Sequence, residues 1–414
     1  MPTLTLPRVP LEERLGLPAI RGNRGLLGAA TVDSLGTGLV LAFVLVYFAV
    51  TTALPLTAVG TALTLARLLA APTAVAVGPL IDRFGARRVA LCGNAVSAVA
   101  YAGFLVSGRF WEIVLVAWLA QVGAAGYWTS STGLVALAAE PDARPRWFAL
   151  LHTLRNAGLA AGGALGAFAV GAGGTAGLRA VVVANAVSYV LAAALLARWR
   201  PACAHATVPP APALSAVDAG GYRSVLRDRR YLLLIGVNLT FVFPSLVLSL
   251  LLAVYVTEGL HRSAWIAGGL LVANGVQVVL TQTVVTRRLA RHRPTRVVAW
   301  GAGVYAASFA LFAALPRVSG WMLTAGLLGA VALYNLAETV TTPFQEELSV
   351  AIAPEHLRGR YLAVYQLSWT AGQTAAPGLF TLLLTGSPAL PWLFLILLCV
   401  AAAVLVTLLG RWRF

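Results

Sequence analysis

Along the chain, long apolar runs alternate with short interruptions that carry arginine, proline and other polar residues. A helix rises 1.5 Å per residue, so about 20 apolar residues are needed to cross roughly 30 Å of hydrocarbon. On that measure twelve segments predict membrane-spanning helices: 25–50, 57–80, 89–107, 111–139, 147–171, 177–198, 231–257, 264–286, 296–315, 321–349, 359–385 and 391–410. Twelve crossings leave both ends on one side. The predicted class is an all-α integral membrane protein.

The longest polar interruption, Arg198 to Arg230, is rich in alanine and proline and divides six predicted helices from six. The expected organisation is a cytoplasmic tail at 1–24, a bundle at 25–199, a flexible cytoplasmic linker at 200–229 and a second bundle at 230–414. The halves also match in sequence. "RPRWFALLHTLRNAGLAAGG" from Arg144 lies over "RGRYLAVYQLSWTAGQTAAP" from Arg358, pairing Arg144 with Arg358, Arg146 with Arg360, Ala149 with Ala363 and Gly158 with Gly372. A duplicated six-helix unit with a site between the copies is a transporter architecture. The match also isolates what is peculiar to one half, because Arg155 aligns with Trp369.

Composition agrees with a membrane protein: 59% of the residues are hydrophobic and 11% charged. The formal charge of +16 raises the question of a nucleic-acid partner, but the placement of the arginines answers it. With the N-terminus inside, they concentrate in the tails and in the even-numbered loops, and only Arg109, Arg179, Arg262 and Arg317 fall on the other side. This is the positive-inside distribution, which places both termini in the cytoplasm and calls for no nucleic acid. The first 24 residues lack the basic-then-apolar pattern of a signal peptide, so the first helix is expected to act as the targeting signal. Cys92, Cys203 and Cys399 form no disulfide or metal pattern, and no cofactor is expected. A phosphate-binding loop of the GxxxxGK[ST] type needs a lysine, and the chain has none, which argues against ATP as the energy source; zinc-peptidase and CxxC signatures are absent too, and with the duplicated architecture no enzyme is expected. The arginine-only, alanine-rich composition points to a GC-rich bacterium and its cytoplasmic membrane.

Between the second and third helices runs "GPLIDRFGARR", Gly78 to Arg88. It resembles the loop signature of the major facilitator superfamily, and Gly78, Asp82, Arg83, Gly85, Arg87 and Arg88 fill every fixed position. The resemblance covers essentially the whole chain. It implies two pseudo-symmetric six-helix bundles and a gating role for this loop, which in the family latches the halves together on the cytoplasmic side. Gly78 permits close helix approach, Gly85 a positive φ, and Asp82 supplies an anion for a helix N-terminus or an arginine. The loop after the eighth helix, "TRRLARHRPTR", keeps the arginines without an acid, so the latch is expected on one side only. The fifth helix resembles the glycine-rich motif of family exporters, with Gly158, Gly162 and Gly166 in one row for helix packing. It departs from the motif at Gly163, where proline is usual, and the fourth helix has Trp118 where many proton antiporters carry arginine.

Asp33, Arg67, Arg155 and Glu338 lie deep in predicted spans. Each costs roughly 2.5 to 3.5 kcal/mol at mid-bilayer, so each is expected to pair, face a cavity or act. Asp33 and Arg155 sit at one depth on helices that are neighbours in the family, and an Asp33 to Arg155 pair is expected. With Glu338 they form the expected proton-coupling set. Glu338, with Tyr334 one turn away, is expected in the central cavity, and Tyr127, Trp128, Asn238, Asn274, Gln277, Trp369 and Gln373 are further substrate-binding candidates. His152 reads as a helix-end group, and Glu346 and Glu347 as partners of cytoplasmic arginines or as a solvated face. The combined expectation is a monomeric, lipid-embedded, proton-coupled exporter of amphipathic or cationic small molecules. A proton-coupled importer of a small metabolite and a non-transporting sensor are the alternatives.

Overall fold

The computed structural model describes residues 18, 20, 22–201, 221–387 and 389–411. Most of the expected tail at 1–24, and linker residues 202–220 with Cys203, lie outside the described residues. With no water in hydrocarbon to satisfy the backbone, an apolar run closes its hydrogen bonds internally and becomes a helix. All twelve segments that the apolar pattern predicts are helical.

We number the spans α1 to α12. Helix α1 is Arg24–Leu41 continued by Val44–Thr51 after a 51° bend, and α2 is Leu56–Ala70 continued by Thr73–Phe84 after a 43° bend. The α2 break falls at Pro72, which lacks the N–H that would continue the helical ladder. Helix α3 is Ala86–Phe104 and α4 is Phe110–Ala138. A single stretch, Arg144–Arg198, holds both α5 and α6, divided at Gly174, whose φ of 53° is open to glycine. Helix α7 is Arg229–Gly259, α8 is Ala264–Leu289, α9 is Pro294–Ala314 and α10 is Trp321–Ala351. Helix α11 is Arg358–Gly386 and α12 is Leu390–Arg411. Among the described residues seven helices are long and apolar enough to cross a membrane, nine when each bent pair is one span. Arg144–Arg198 holds two of the expected spans, and the more polar α3 and α11 are the others.

Hydrophobic cores divide along the chain. One joins α7 to α12, from Val225 to Leu409, and two others lie within α1 to α6. One of the latter also takes in Val350 of α10 and Leu362 of α11. The halves meet where α2 and α4 pack on α11, and where α8 and α10 pack on the Arg144–Arg198 helix. The end that carries Asp82, Arg144 and Arg358 is called the arginine-rich end below. There, Asn23 donates to the Ala138 carbonyl at 2.8 Å and accepts Trp199 Nε1 at 2.9 Å, tying α1 to α4 and α6. Asp228 caps α7 through the N–H groups of Arg230 and Tyr231.

Candidate functional site

The glycine row of α5 decides where α1 lies. A Cβ at Gly158 would come within 2.8 Å of Ser34 Cβ, one at Gly162 within 3.0 Å of Gly38 Cα, and one at Gly166 within 3.1 Å of the Leu39 carbonyl carbon. The two backbones therefore touch, and Asp33 and Arg155 lie on either side of this seam. Gly163 is outside it, its nearest neighbour the Gly38 carbonyl 3.9 Å away.

Asp33 is buried. Among the described residues no ion pair joins it to Arg155; the expected pair is an electrostatic interaction across a gap. The carboxylate is held inside the first half, where Tyr101, Tyr127 and Tyr189 feel its charge. Gly36 brings α1 close to α6, where its Cβ would lie 2.8 Å from Asn185 Oδ1. Ser188 and Asn185 are hydrogen-bonded, Tyr189 meets Thr37 at 3.2 Å, and the Tyr101 hydroxyl interacts with the Asn185 side chain. These side chains of α3 and α6 are residues the sequence reading missed.

Arg155 is exposed although it lies in a predicted span, and it lines a cavity. Its guanidinium carbon stands 4.0 Å from the Trp128 ring centroid, a cation–π contact, and Tyr127 meets Trp128 edge to face. Three carboxylates lie within electrostatic reach of the arginine: Glu346, Asp33 and Glu338. Glu346 and Glu338 come from α10, so the cluster spans both halves. His152, one turn before Arg155, lies 4.0 Å from Glu338 Oε1 and is also cross-half rather than a helix-end group. The cavity, about 70 Å³ and partly open, is lined by Ser34, Trp128, Ser131, His152, Arg155 and Glu346, among others. That volume holds a few waters and no drug-sized ligand. Glu346 stands at this cavity, not on a solvated face, whereas Glu347 meets Arg144 at 3.8 Å as an arginine partner.

Several expected binding residues serve packing instead. Tyr334 is buried against Tyr305 and Phe309 in the core of the second half. Asn238 donates to Ser368 Oγ at 2.7 Å and ties α7 to α11. Gln277 donates to the Ala332 carbonyl and accepts from Asn335, while Asn274 donates to Asn335, so α8 is tied to α10. Trp369 is partly exposed and Gln373 exposed on α11, away from the described ring contacts. Arg67 is exposed and makes no ion pair among the described residues.

At the arginine-rich end, Asp82 Oδ1 accepts the Gly359 N–H at 2.6 Å, at the N-terminus of α11, and Oδ2 lies 3.6 Å from Arg360 Nη1. Gly78 makes this approach possible, because its Cβ would sit 2.9 Å from Arg360 Cα and 3.0 Å from Ala363 Cβ. Gly85 turns the chain with φ 83°. Arg87 donates to the Leu196 carbonyl at 2.9 Å and to the Ala197 carbonyl, closing the end of α6. Arg83 lies over Phe84, and Arg88 is exposed.

Comparison with known proteins agrees with this geometry. A family model described as the Major Facilitator Superfamily matches residues 26–377. A Na(+), Li(+), K(+)/H(+) antiporter of Planococcus maritimus is 25% identical over 77% of this chain and 79% of its own. The multidrug resistance protein MdtH of Klebsiella pneumoniae is 24% identical over 86% of this chain and 84% of its own. Among solved structures, a bacterial homologue of the iron transporter ferroportin in an outward-facing state superimposes with a TM-score of 0.77 at 17% identity, covering 94% of this chain and all of that one. The proton:xylose symporter XylE follows with 0.68 at 16% identity, over 92% of this chain and 94% of its own. With its helices, its Gly78 to Arg88 loop and a family match over most of its length, the chain belongs to the major facilitator superfamily of secondary transporters.

Proposed function

We propose that this transporter is a proton-coupled antiporter that exports amphipathic or small cations by alternating access. The observation that carries the reading is the cross-half cluster in which one arginine, Arg155, is shared by Asp33, Glu338 and Glu346. With all three carboxylates ionised, the cluster is net negative and attracts cations. With protons bound it is not, so proton uptake and cation release compete for the same charge. Asp33 is the proposed proton carrier, Arg155 favours release of its proton, and Glu338 and Glu346 form the cation-facing side with Trp128 as an aromatic wall. A multidrug relative and a cation/proton antiporter relative both support this class.

In this reading the bundles at 25–199 and 230–414 rock about the cluster, the arginine-rich end faces the cytoplasm of a bacterial cell, and the loop at Gly78 to Arg88 latches it. Each inward proton supplies about 2.3 kcal/mol per 100 mV of membrane potential. A second reading, that the cargo is an alkali ion, is favoured by the hydroxyl and amide groups around Asp33, since hard cations take oxygen ligands.

The test uses proteoliposomes with an imposed pH gradient and a pH-sensitive dye inside. Counter-directed proton flux on adding ethidium or tetraphenylphosphonium supports the organic-cation reading, and flux only with Na+, Li+ or K+ supports the second. Proton flux in the same direction as substrate means an importer and overturns the proposal, as does zero flux with every cation.

A further inference from the structure

Proline at 79 leaves the Val75 carbonyl without the N–H that would serve it four residues later in α2. Val75 is 37% exposed, and a carbonyl that has lost its helical partner takes another donor where one is at hand. The donor here comes from the other half of the molecule: the hydroxyl of Tyr222, in the short helix Gly221–Arg227, donates to Val75.

We propose that Tyr222 is a gating residue of the transport cycle, holding the arginine-rich end shut by bonding across the halves to the carbonyl that Pro79 frees. The short helix belongs to the second half. Val225 is fully buried in the core built by α7 to α12, Tyr222 packs against that core, and the helix touches α7 and α11. Tyr222 therefore moves with α11 when the halves separate, while Val75 moves with α2. The loop motif is cut to receive it, because a Cβ at Gly78 would lie 2.5 Å from the Tyr222 hydroxyl. The tyrosine remains a donor at every working pH. Burial pushes its hydroxyl up to about 12, with the Asp82 charge adding to this and Arg360 opposing it. Val75 and Asp82 are seven residues, about two turns, apart on α2, so the closed end is fastened at two separate heights. The proposal depends on the chain being a transporter and not on what it carries.

The test is a double-mutant cycle in the full-length protein, with native cysteines replaced by alanine and Leu134→Cys as reporter. Leu134 is buried at the cavity near this end and is expected to become accessible to a maleimide on opening. Tyr222→Phe keeps the ring and its packing and removes one hydrogen bond, so labelling is expected to rise about two- to tenfold. Pro79→Ala returns an N–H to the Val75 carbonyl, and in that background the Tyr222→Phe effect is expected to shrink to less than half. Rescue of this kind is invisible to a side chain that merely packs. Labelling of Tyr222→Phe at the parent rate overturns the proposal, and so does an equal Tyr222→Phe effect in both backgrounds.

Discussion

Replacing Asp82 by asparagine keeps the shape of the contact and removes its charge. In the closed end, Oδ1 takes the Gly359 N–H at 2.6 Å and Oδ2 faces Arg360 Nη1 at 3.6 Å. The Asp82 side chain is 10% exposed and that of Arg360 19%, so solvent screens the pair only in part. A hydrogen bond to a charged group is worth about 1.5–3 kcal/mol and one to a neutral group about 1. Asparagine retains the neutral bond to Gly359 and turns an amide toward Arg360, which adds no attraction. The closed state is thus expected to lose about 1–2 kcal/mol relative to the open one, a shift of about five- to thirtyfold in their ratio. Maleimide labelling of Leu134→Cys in solubilised protein reads that ratio, and it is expected to accelerate by the same factor. Asp82→Glu is expected to label faster than the parent too, because the Gly359 approach leaves no room for a longer side chain: a Cβ on Gly359 would already stand 2.7 Å from Asp82 Oδ1. Unchanged labelling in Asp82→Asn refutes the latch and leaves the loop a turn between helices.

Three further outcomes are expected. Asp33→Asn, which imitates the protonated carboxyl, is expected to abolish transport driven by an imposed pH gradient while substrate binding persists; accumulation of substrate by this variant against its gradient would pass the proton role to Glu338 or Glu346. Glu338→Gln is expected to lower export of a cationic compound at least about tenfold more than that of a neutral one of similar size, since a buried charge partner is lost and shape is kept; equal losses in a paired-substrate assay mean a structural glutamate. Gly162→Val is expected to cost about 1–3 kcal/mol by overpacking the α1–α5 seam, whereas Gly163→Ala next to it is tolerated, and thermal unfolding of the two purified variants should differ accordingly.

The length and spacing of apolar runs already determine this protein's helices, because a chain in hydrocarbon has no other way to satisfy its backbone. The bilayer also makes each mid-span charge conspicuous, so Asp33, Arg155 and Glu338 stand out in the sequence. Local chemistry speaks as clearly at Gly85, where the backbone itself is constrained, and in the Gly158, Gly162 and Gly166 row, where missing side chains allow close approach, whereas the break of α2 at Pro72 emerged only with the structure.

What the sequence leaves open is direction. In lipid the outer face of a helix is as apolar as its packed face, so little contrast tells which side meets a neighbour. Tyr334 was expected at the cavity because it lies one turn from Glu338, and Asn238 and Gln277 as residues that share that cavity, whereas their side chains meet α9, α11 and α10. Glu346 was expected to pair with cytoplasmic arginines or to sit on a solvated face, and the packing of α10 on the Arg144–Arg198 helix set it at the cavity that Arg155 lines. Tyr222 had no signal of its own, since its partner is a backbone carbonyl 147 residues away. The fold thus follows from local rules of chain and solvent, while the charge cluster and the closed end exist only once two halves of similar sequence meet.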